Sequence, residues 1–299
     1  MGVSDLVPGV SGGTIALIFG IYEEFIFSLS KLSISSLKIL KKKGVKVFWI
    51  EINGDFLLKL FSGILTGIFS FTYLIDWLIN NYPIPLWSFF IGLLLSSTII
   101  IYKNIKIPKV NLLMNLVLGI LISYLISQIS PNSETESFNG LYLFISSLIA
   151  ICAMILPGVS GAYILLLFGT YSEVISTIKG FLNIFIKQDQ IDLNILLYKA
   201  SIIGFGMISG ILIFSKVFKW LLIKHYDSTL VFMIGLMLGG INKIWPWKEN
   251  GKNILPFDYS EKNFILPSLI FFILGILFIF GVQLLEKQKF NVKKEKHQW

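Results

Sequence analysis

Residues 7–26 read VPGVSGGTIALIFGIYEEFI, and residues 156–175 read LPGVSGAYILLLFGTYSEVI. From Pro8/Pro157 to Ile26/Ile175, 12 of 19 positions are identical at a constant offset of 149. Each copy sets a helix-breaking Pro-Gly-Val-Ser-Gly inside an otherwise apolar run. Matched interruptions in two halves of a membrane chain are the strongest pointer a sequence offers to a binding site.

The surrounding composition makes this a membrane chain. Hydrophobic residues are 55% of 299, charged residues 14%, and the mean hydropathy is +0.79. Runs such as Phe61–Ile79, Asn111–Ile129 and Phe264–Leu285 approach the roughly 20 helical residues that cross a hydrocarbon core. Met1–Gly13 has neither the basic start nor the cleavage pattern of a signal peptide. The lone Cys152 rules out a disulfide framework and reads as a small core hydrophobe. His225 and His297 fall in a loop and the tail, so no metal site is expected. All 25 basic residues are lysine, which removes any bidentate guanidinium clamp for phosphate. The net charge of +8 reads as a set of topology determinants, not as a nucleic-acid surface.

The second copy shows the repeating unit best. Leu141–Ile155 runs into the break at residues 156–161, and Ala162–Ile178 follows. Each limb is only about 22–25 Å long at the helical rise, which suits a re-entrant hairpin entering and leaving on one side. Three apolar helices are expected after each hairpin. They are Phe56–Ile79, Leu86–Tyr102 and Asn111–Ile129 in the first half, and Leu197–Ile223, Thr229–Trp245 and Phe264–Leu285 in the second. Gly63, Gly67, Trp77 and Gly92 match Gly206, Gly210, Trp220 and Gly235 at an offset of 143. Small residues four apart let helices approach closely.

The expected fold is therefore an all-α polytopic membrane protein of two repeats, residues 1–130 and 141–286, with a basic tail at 287–299. Three crossings per half invert the second repeat relative to the first. Lysine placement agrees at the short loops: Lys31–Lys46, Lys103–Lys109, Lys216–Lys224 and the tail fall on the side expected to be cytoplasmic, whereas residues 80–85 and 130–140 carry none. Both termini are thus expected in the cytoplasm. Two stretches fit poorly, Lys179–Lys199 and Lys243–Lys262, where lysines stand on the side expected to be external.

The break itself suggests anion chemistry. Pro8 stops the incoming segment, Gly9 and Gly12 open backbone angles closed to other residues, and Ser11 is a good N-cap. Unpaired N–H groups at such a helix start attract phosphates. The candidate head-group site is Pro8, Gly9, Ser11, Gly12, Gly13 and Thr14 from one tip. The other tip contributes Pro157, Gly158, Ser160, Gly161 and Tyr163. Glu24 and Glu173 are repeat-matched and stand 13 residues past Ser11 and Ser160, about 20 Å along an unbroken helix. They read as hairpin-end polar residues or as gating or coupling carboxylates. Lys59 and Lys199 are candidate point-charge donors to phosphate or snorkelling residues, and Asp5 is a candidate charge partner for such a lysine.

With these motifs in hand, the chain resembles the bacterial polyprenyl-phosphate transporters. The likeness lies in Asp5-Leu-Val-Pro-Gly-Val-Ser-Gly-Gly-Thr-Ile15, Phe19-Gly-Ile-Tyr-Glu23 and Leu156-Pro-Gly-Val-Ser-Gly161, and extends over nearly the whole chain. It implies return of undecaprenyl phosphate from the outer to the inner leaflet of the plasma membrane, recycling a cell-wall carrier lipid. The implied partners are that lipid and the bilayer, with no cofactor; H+ or Na+ is a plausible coupling ion. Family members carry an apolar stretch ahead of the first motif. Here Met1 stands six residues before Val7, so the first limb of hairpin one is expected to be nearly absent. Two other readings stay open. A lipid-pyrophosphate phosphatase shares a Pro-Gly-x-Ser motif but follows its serine with arginine, where this chain has Gly12 and Gly161. A small-anion channel or exchanger keeps the hairpin site without the lipid.

Overall fold

In hydrocarbon a backbone must satisfy its own hydrogen bonds, and helix does so within one segment. The computed structural model describes residues 1–6, 11–103, 105–106, 112–129, 139–186, 193–249, 252–259 and 264–296. Among these, thirteen helices and one short β-hairpin carry the fold. The order is α1 (Gly2–Asp5), α2 (Gly12–Ile18), α3 (Tyr22–Lys31), α4 (Ile34–Glu51), α5 (Gly54–Asn81), α6 (Pro83–Lys103) and α7 (Leu113–Gln128). Then come α8 (Gly140–Ile155), α9 (Gly161–Leu167), α10 (Tyr171–Ile186), α11 (Leu193–Lys224) and α12 (Tyr226–Gly240). The hairpin β1 (Lys248–Glu249) and β2 (Lys252–Asn253) precedes α13 (Ile265–Lys296).

Four helices, α5, α6, α11 and α13 up to Leu284, are long and apolar enough to cross a membrane. Two bent pairs, α2 with α3 and α9 with α10, bring the number to six if each pair is one span. Phe69, Tyr73 and Trp77 on α5, like Leu269, Leu277 and Leu284 on α13, project outward from the protein. Apolar side chains on that surface are what a lipid solvent requires.

The six expected helices all form, with ends displaced by a few residues except at two places, one of them the last helix, which was expected to end at Leu285 and runs on to Lys296. The helix expected to run to Trp245 stops at Gly240. There Gly240 lies against the carbonyl of Gly158, with 2.9 Å left for any Cβ. The chain turns away, and Pro246 follows. Two elements are unexpected. The lysine-rich stretch after α3 is the helix α4, opened by a capping box between Ser33 and Ser36 and kinked at Gly44 with φ 83. Residues 248–253 form the small β-hairpin, with Lys248 opposite Asn253.

A larger correction concerns the limbs after each break. Neither is one continuous helix. The first bends by 117° and the second by 119°, at Gly20 and Gly169, both with φ 65. In each, the glycine N–H donates to the carbonyl three residues back, and the next N–H donates five back, to Ala16 and Leu165. This double closure is the usual left-handed helix stop. It follows that Glu24 and Glu173 do not stand about 20 Å up a straight helix.

One helix–helix contact is made twice with its partners exchanged. A Cβ on Gly235 of α12 would stand 2.4 Å from the Leu116 carbonyl of α7, and one on Gly119 would stand 2.4 Å from that of Phe232. The matching pair, Gly92 on α6 and Gly275 on α13, would meet the carbonyls of Phe272 and Phe89 at 2.1 and 2.2 Å. Such backbone contact is open only to residues without a side chain. Gly239 lies against Ile120 and Ser123, so α7 and α12 run side by side in the same direction. The Lys106 N–H donates to Asp227 at the start of α12, which puts the α6–α7 connection at that end. The start of α6 and the ends of α7 and α12 therefore share the opposite end.

Candidate functional site

The two breaks touch. Ser11 is 2% exposed, and its hydroxyl proton is shared between the Met154 and Leu156 carbonyls at 3.1 and 3.0 Å. The same oxygen accepts the Gly13 N–H and caps α2. Thr14, 1% exposed, accepts the N–H of Gly158 at 3.0 Å. Gly13 has no room for a side chain, since a Cβ would stand 2.2 Å from the Ile155 carbonyl. Gly158 has φ 83 and would drive a Cβ into Met237 of α12 at 2.6 Å. Pro157 is fully buried beside it. Two hydroxyls thus stitch one tip to the other through three hydrogen bonds to backbone that the breaks expose, and two glycines permit the close approach.

The tips differ in what faces their helix starts. At the first, the Gly12 N–H donates to the Asp5 carboxylate at 2.7 Å. A Cβ on Gly12 would meet that carboxylate at 2.5 Å, so Asp5 fits only because the residue is glycine. The position where an external anion was expected is filled by the chain's own. Asp5 is thus a partner of the first tip rather than of a lysine. Its repeat equivalent is Met154, whose Cβ stands 2.9 Å from where a Cβ on Gly161 would lie, so among the described residues that place holds an apolar side chain and no carboxylate.

The second tip opens instead onto a small cleft of about 20 Å³, where Ile126 and Val159 stand among serines, Tyr163 and Lys243. Ser160 is half-buried there, and its oxygen accepts only the Tyr163 N–H at 3.4 Å. Tyr163 donates its hydroxyl to the Ile129 carbonyl at 2.7 Å, which turns its ring toward Lys243. That ammonium lies 4.0 Å from the ring centroid. Ser123, Ser127 and Gly240 complete the wall. Lys248 stands just behind, donating to the Lys243 carbonyl. Burial and the neighbouring Lys243 charge push the Lys248 amine down to about 8. Gly161 faces away, packed on the Ala150 carbonyl of α8.

The remaining candidates are engaged elsewhere. Glu24 accepts from Asn53 at 2.8 Å, and Glu173 pairs with Lys199. Each matched glutamate therefore ties its bent pair to the start of the next long helix. Lys59 is exposed on α5. Pro8 and Gly9 lie outside the described residues.

Lys243 and Lys248 were not among the sequence candidates, although a signal for them existed. They sit in one of the two stretches where lysines fall on the side expected to be free of them. A charge kept against the topology rule needs another reason to be there. At the same end of the molecule, an apolar cavity of about 650 Å³ opens to the outer surface between α5, α6 and the start of α13. Phe71, Leu74, Trp77, Phe89, Phe271 and Leu274 are among its lining residues, and Val3 of α1, two residues from Asp5, reaches its wall.

Together these features define a polytopic helical membrane protein with a paired-break centre, a small cleft edged by Lys243 and an apolar groove. Residues 1–257 match the family described as VCA0040-like, undecaprenyl phosphate translocase-like, and the chain belongs to that family. It is similar to a polyprenyl-phosphate transporter of Vibrio cholerae serotype O1, with 38% identity over 95% of this chain and 93% of the relative. A polyprenyl-phosphate transporter of Staphylococcus aureus is 32% identical over 92% of this chain and 93% of its own length. No solved structure matches the chain.

Proposed function

We propose that this chain carries polyprenyl phosphate across the bacterial plasma membrane, returning undecaprenyl phosphate from the outer to the inner leaflet for reuse in envelope synthesis. The observation that carries this reading is the lateral apolar groove of about 650 Å³, a volume in the range of ligand sites. A small anion has no use for it. A lipid phosphate has a tail that stays in hydrocarbon while its charged head crosses. The names of the two relatives support the same substrate class.

In this reading residues 1–130 and 141–286 are inverted repeats, and both termini, with the tail at 287–299, are cytoplasmic. The exchanged glycine contacts of α6 with α13 and α7 with α12 support it, because a two-fold relation between halves generates such a pair. The head group crosses where the breaks meet, at Pro8, Gly9 and Ser11–Thr14 on one side and Pro157, Gly158, Ser160, Gly161 and Tyr163 on the other. Rocking of one half against the other alternates access. Glu24–Asn53 and Glu173–Lys199 are the ties that hold each bent pair as the halves move. Hydrolysis is disfavoured by the lack of arginine and by the Ser11 proton, which points at two carbonyls and not at a base.

The test is translocation of labelled undecaprenyl phosphate in proteoliposomes, with released phosphate assayed in the same tubes. Leaflet exchange without phosphate release is expected. Release of phosphate, or no exchange by folded protein, rejects the carrier.

A further inference from the structure

Two ammonium groups rarely share a half-buried corner without a carboxylate. Among the described residues, Lys243 and Lys248 do. The turn after α12 holds them there by several bonds. The Lys243 N–H donates to the Gly240 carbonyl at 2.9 Å. Asn242 donates to Ser127 of α7 at 2.8 Å, and Asn253 of β2 donates to the Asn242 carbonyl at 2.9 Å. Trp245 donates to the Ile254 carbonyl at 2.9 Å and packs on the apolar cluster that includes Ile75, Leu86 and Phe90 of the groove wall. One segment therefore lines the cleft with Lys243 and packs with Trp245 on the cluster behind the groove wall.

Among the described residues, neither lysine has a carboxylate within ion-pair distance. Crowding two like charges is unfavourable unless an anion is held between or beside them, and the Tyr163 ring offsets only part of that repulsion. The cleft also holds hydroxyl protons that no described group accepts. Ser160 donates to nothing described, and neither does Ser123 on the facing wall. Two point charges with two hydroxyl donors suit a phosphate monoester dianion.

We propose that Lys243 and Lys248, with Ser123 and Ser160, form the receiving site for a phosphate monoester head group at the end of the molecule where the apolar groove opens. This rests on the carrier reading above and names the residues that capture its substrate. The site lies outside the stitched tips, so capture precedes crossing. At about 20 Å³ the cleft admits little more than a water, and the lysine side chains swing outward to admit the head. The second tip, lacking an internal carboxylate like Asp5, is the one left to the ligand.

The test is binding by full-length protein in nanodiscs, read by quenching of the adjacent Trp245 and Trp247. The probes are a short-chain polyprenyl monophosphate, the matching uncharged alcohol, and inorganic phosphate. Lys243→Gln and Lys248→Gln should each weaken monophosphate binding about tenfold or more while leaving alcohol binding unchanged. Lys243→Arg should restore most of the affinity, and Lys252→Gln, exposed on the same hairpin, should change nothing. Unchanged monophosphate affinity in the double glutamine variant overturns the site. Inorganic phosphate binding as tightly as the lipid probe overturns the lipid source and assigns a free-anion site. Lysine-dependent binding with no leaflet exchange by the unsubstituted protein upholds the site and rejects the carrier reading instead.

Discussion

Ser11 and Thr14 act first on stability. Each spends its hydroxyl on the opposite break, so Thr14→Val leaves the buried Gly158 N–H without an acceptor. That loss is about 1–3 kcal/mol. Ser11→Ala removes a cap and two cross-tip bonds, for about 1–2 kcal/mol. Both variants should melt earlier in detergent than Ser160→Ala, whose oxygen makes a single local bond. Equal melting of all three contradicts the stitching role. Lys248 carries a pH prediction. Its amine is pushed down to about 8, so it is mostly charged at neutral pH and loses its proton as pH rises through that value. It donates to the Lys243 carbonyl, within reach of that residue's charge, Asn253 lies opposite it on β2, and Glu249 and Lys252 form the next pair. A phosphate monoester gains its second charge near pH 6. Monophosphate binding should therefore rise from about pH 5 to 7 and decline above about pH 8. A flat profile from pH 7 to 9 argues against Lys248 as a ligand.

The bent pairs are the elements on which the geometry turns. Gly20 and Gly169 hold matching left-handed angles, where any L side chain is strained by about 1–2 kcal/mol. Gly20→Ala and Gly169→Ala should both lower the melting temperature, and the double substitution should add the two effects. Asn in place of Gly, which tolerates this angle, should recover most of the loss. The groove is also a property of elements, set by the splay of α5 from α6 and α13. Leu274→Trp on its wall should fill it and slow leaflet exchange about tenfold, while inorganic phosphate binding at the cleft stays the same. If exchange is unaffected, the tail travels by another route.

For the whole molecule the prediction is topological. An inverted arrangement puts the β-hairpin outside and α4 inside. Cysteines introduced at Lys38 and Lys252, both exposed, should react with an impermeant maleimide from opposite sides of intact cells, after Cys152→Ser removes the native thiol. Labelling from one side discards the inverted halves. The exchanged contacts of α6–α13 and α7–α12 also bind each half to the other across the molecule. Gly92→Leu or Gly235→Leu should therefore destabilise the whole protein by more than the about 1–3 kcal/mol of an ordinary overpacked core position, since backbone carbonyls stand at 2.1 and 2.4 Å from the new Cβ.

The sequence by itself determined the membrane class, six of the apolar helices and the places where proline and glycine interrupt the chain. Those follow from local chemistry: apolar length fixes a span, and proline with glycine ends a helix wherever it stands. It also singled out Ser11, Thr14, Ser160 and Tyr163, because the repeat marked their positions twice. The Gly20 and Gly169 bends were equally visible as a matched Phe-Gly, yet a lone glycine inside an apolar run does not announce a turn. Only the tertiary structure decided what each polar group meets. Asp5 accepts from Gly12 at the first tip, whereas at the second the apolar Met154 packs against Gly161 and offers no acceptor. Lys243 reaches Tyr163 across eighty residues of chain because α7 and α12 pack glycine to backbone, and no local pattern encodes that meeting. Repetition in the sequence marks the two breaks alike; their packing gives the first a carboxylate partner and the second an apolar one.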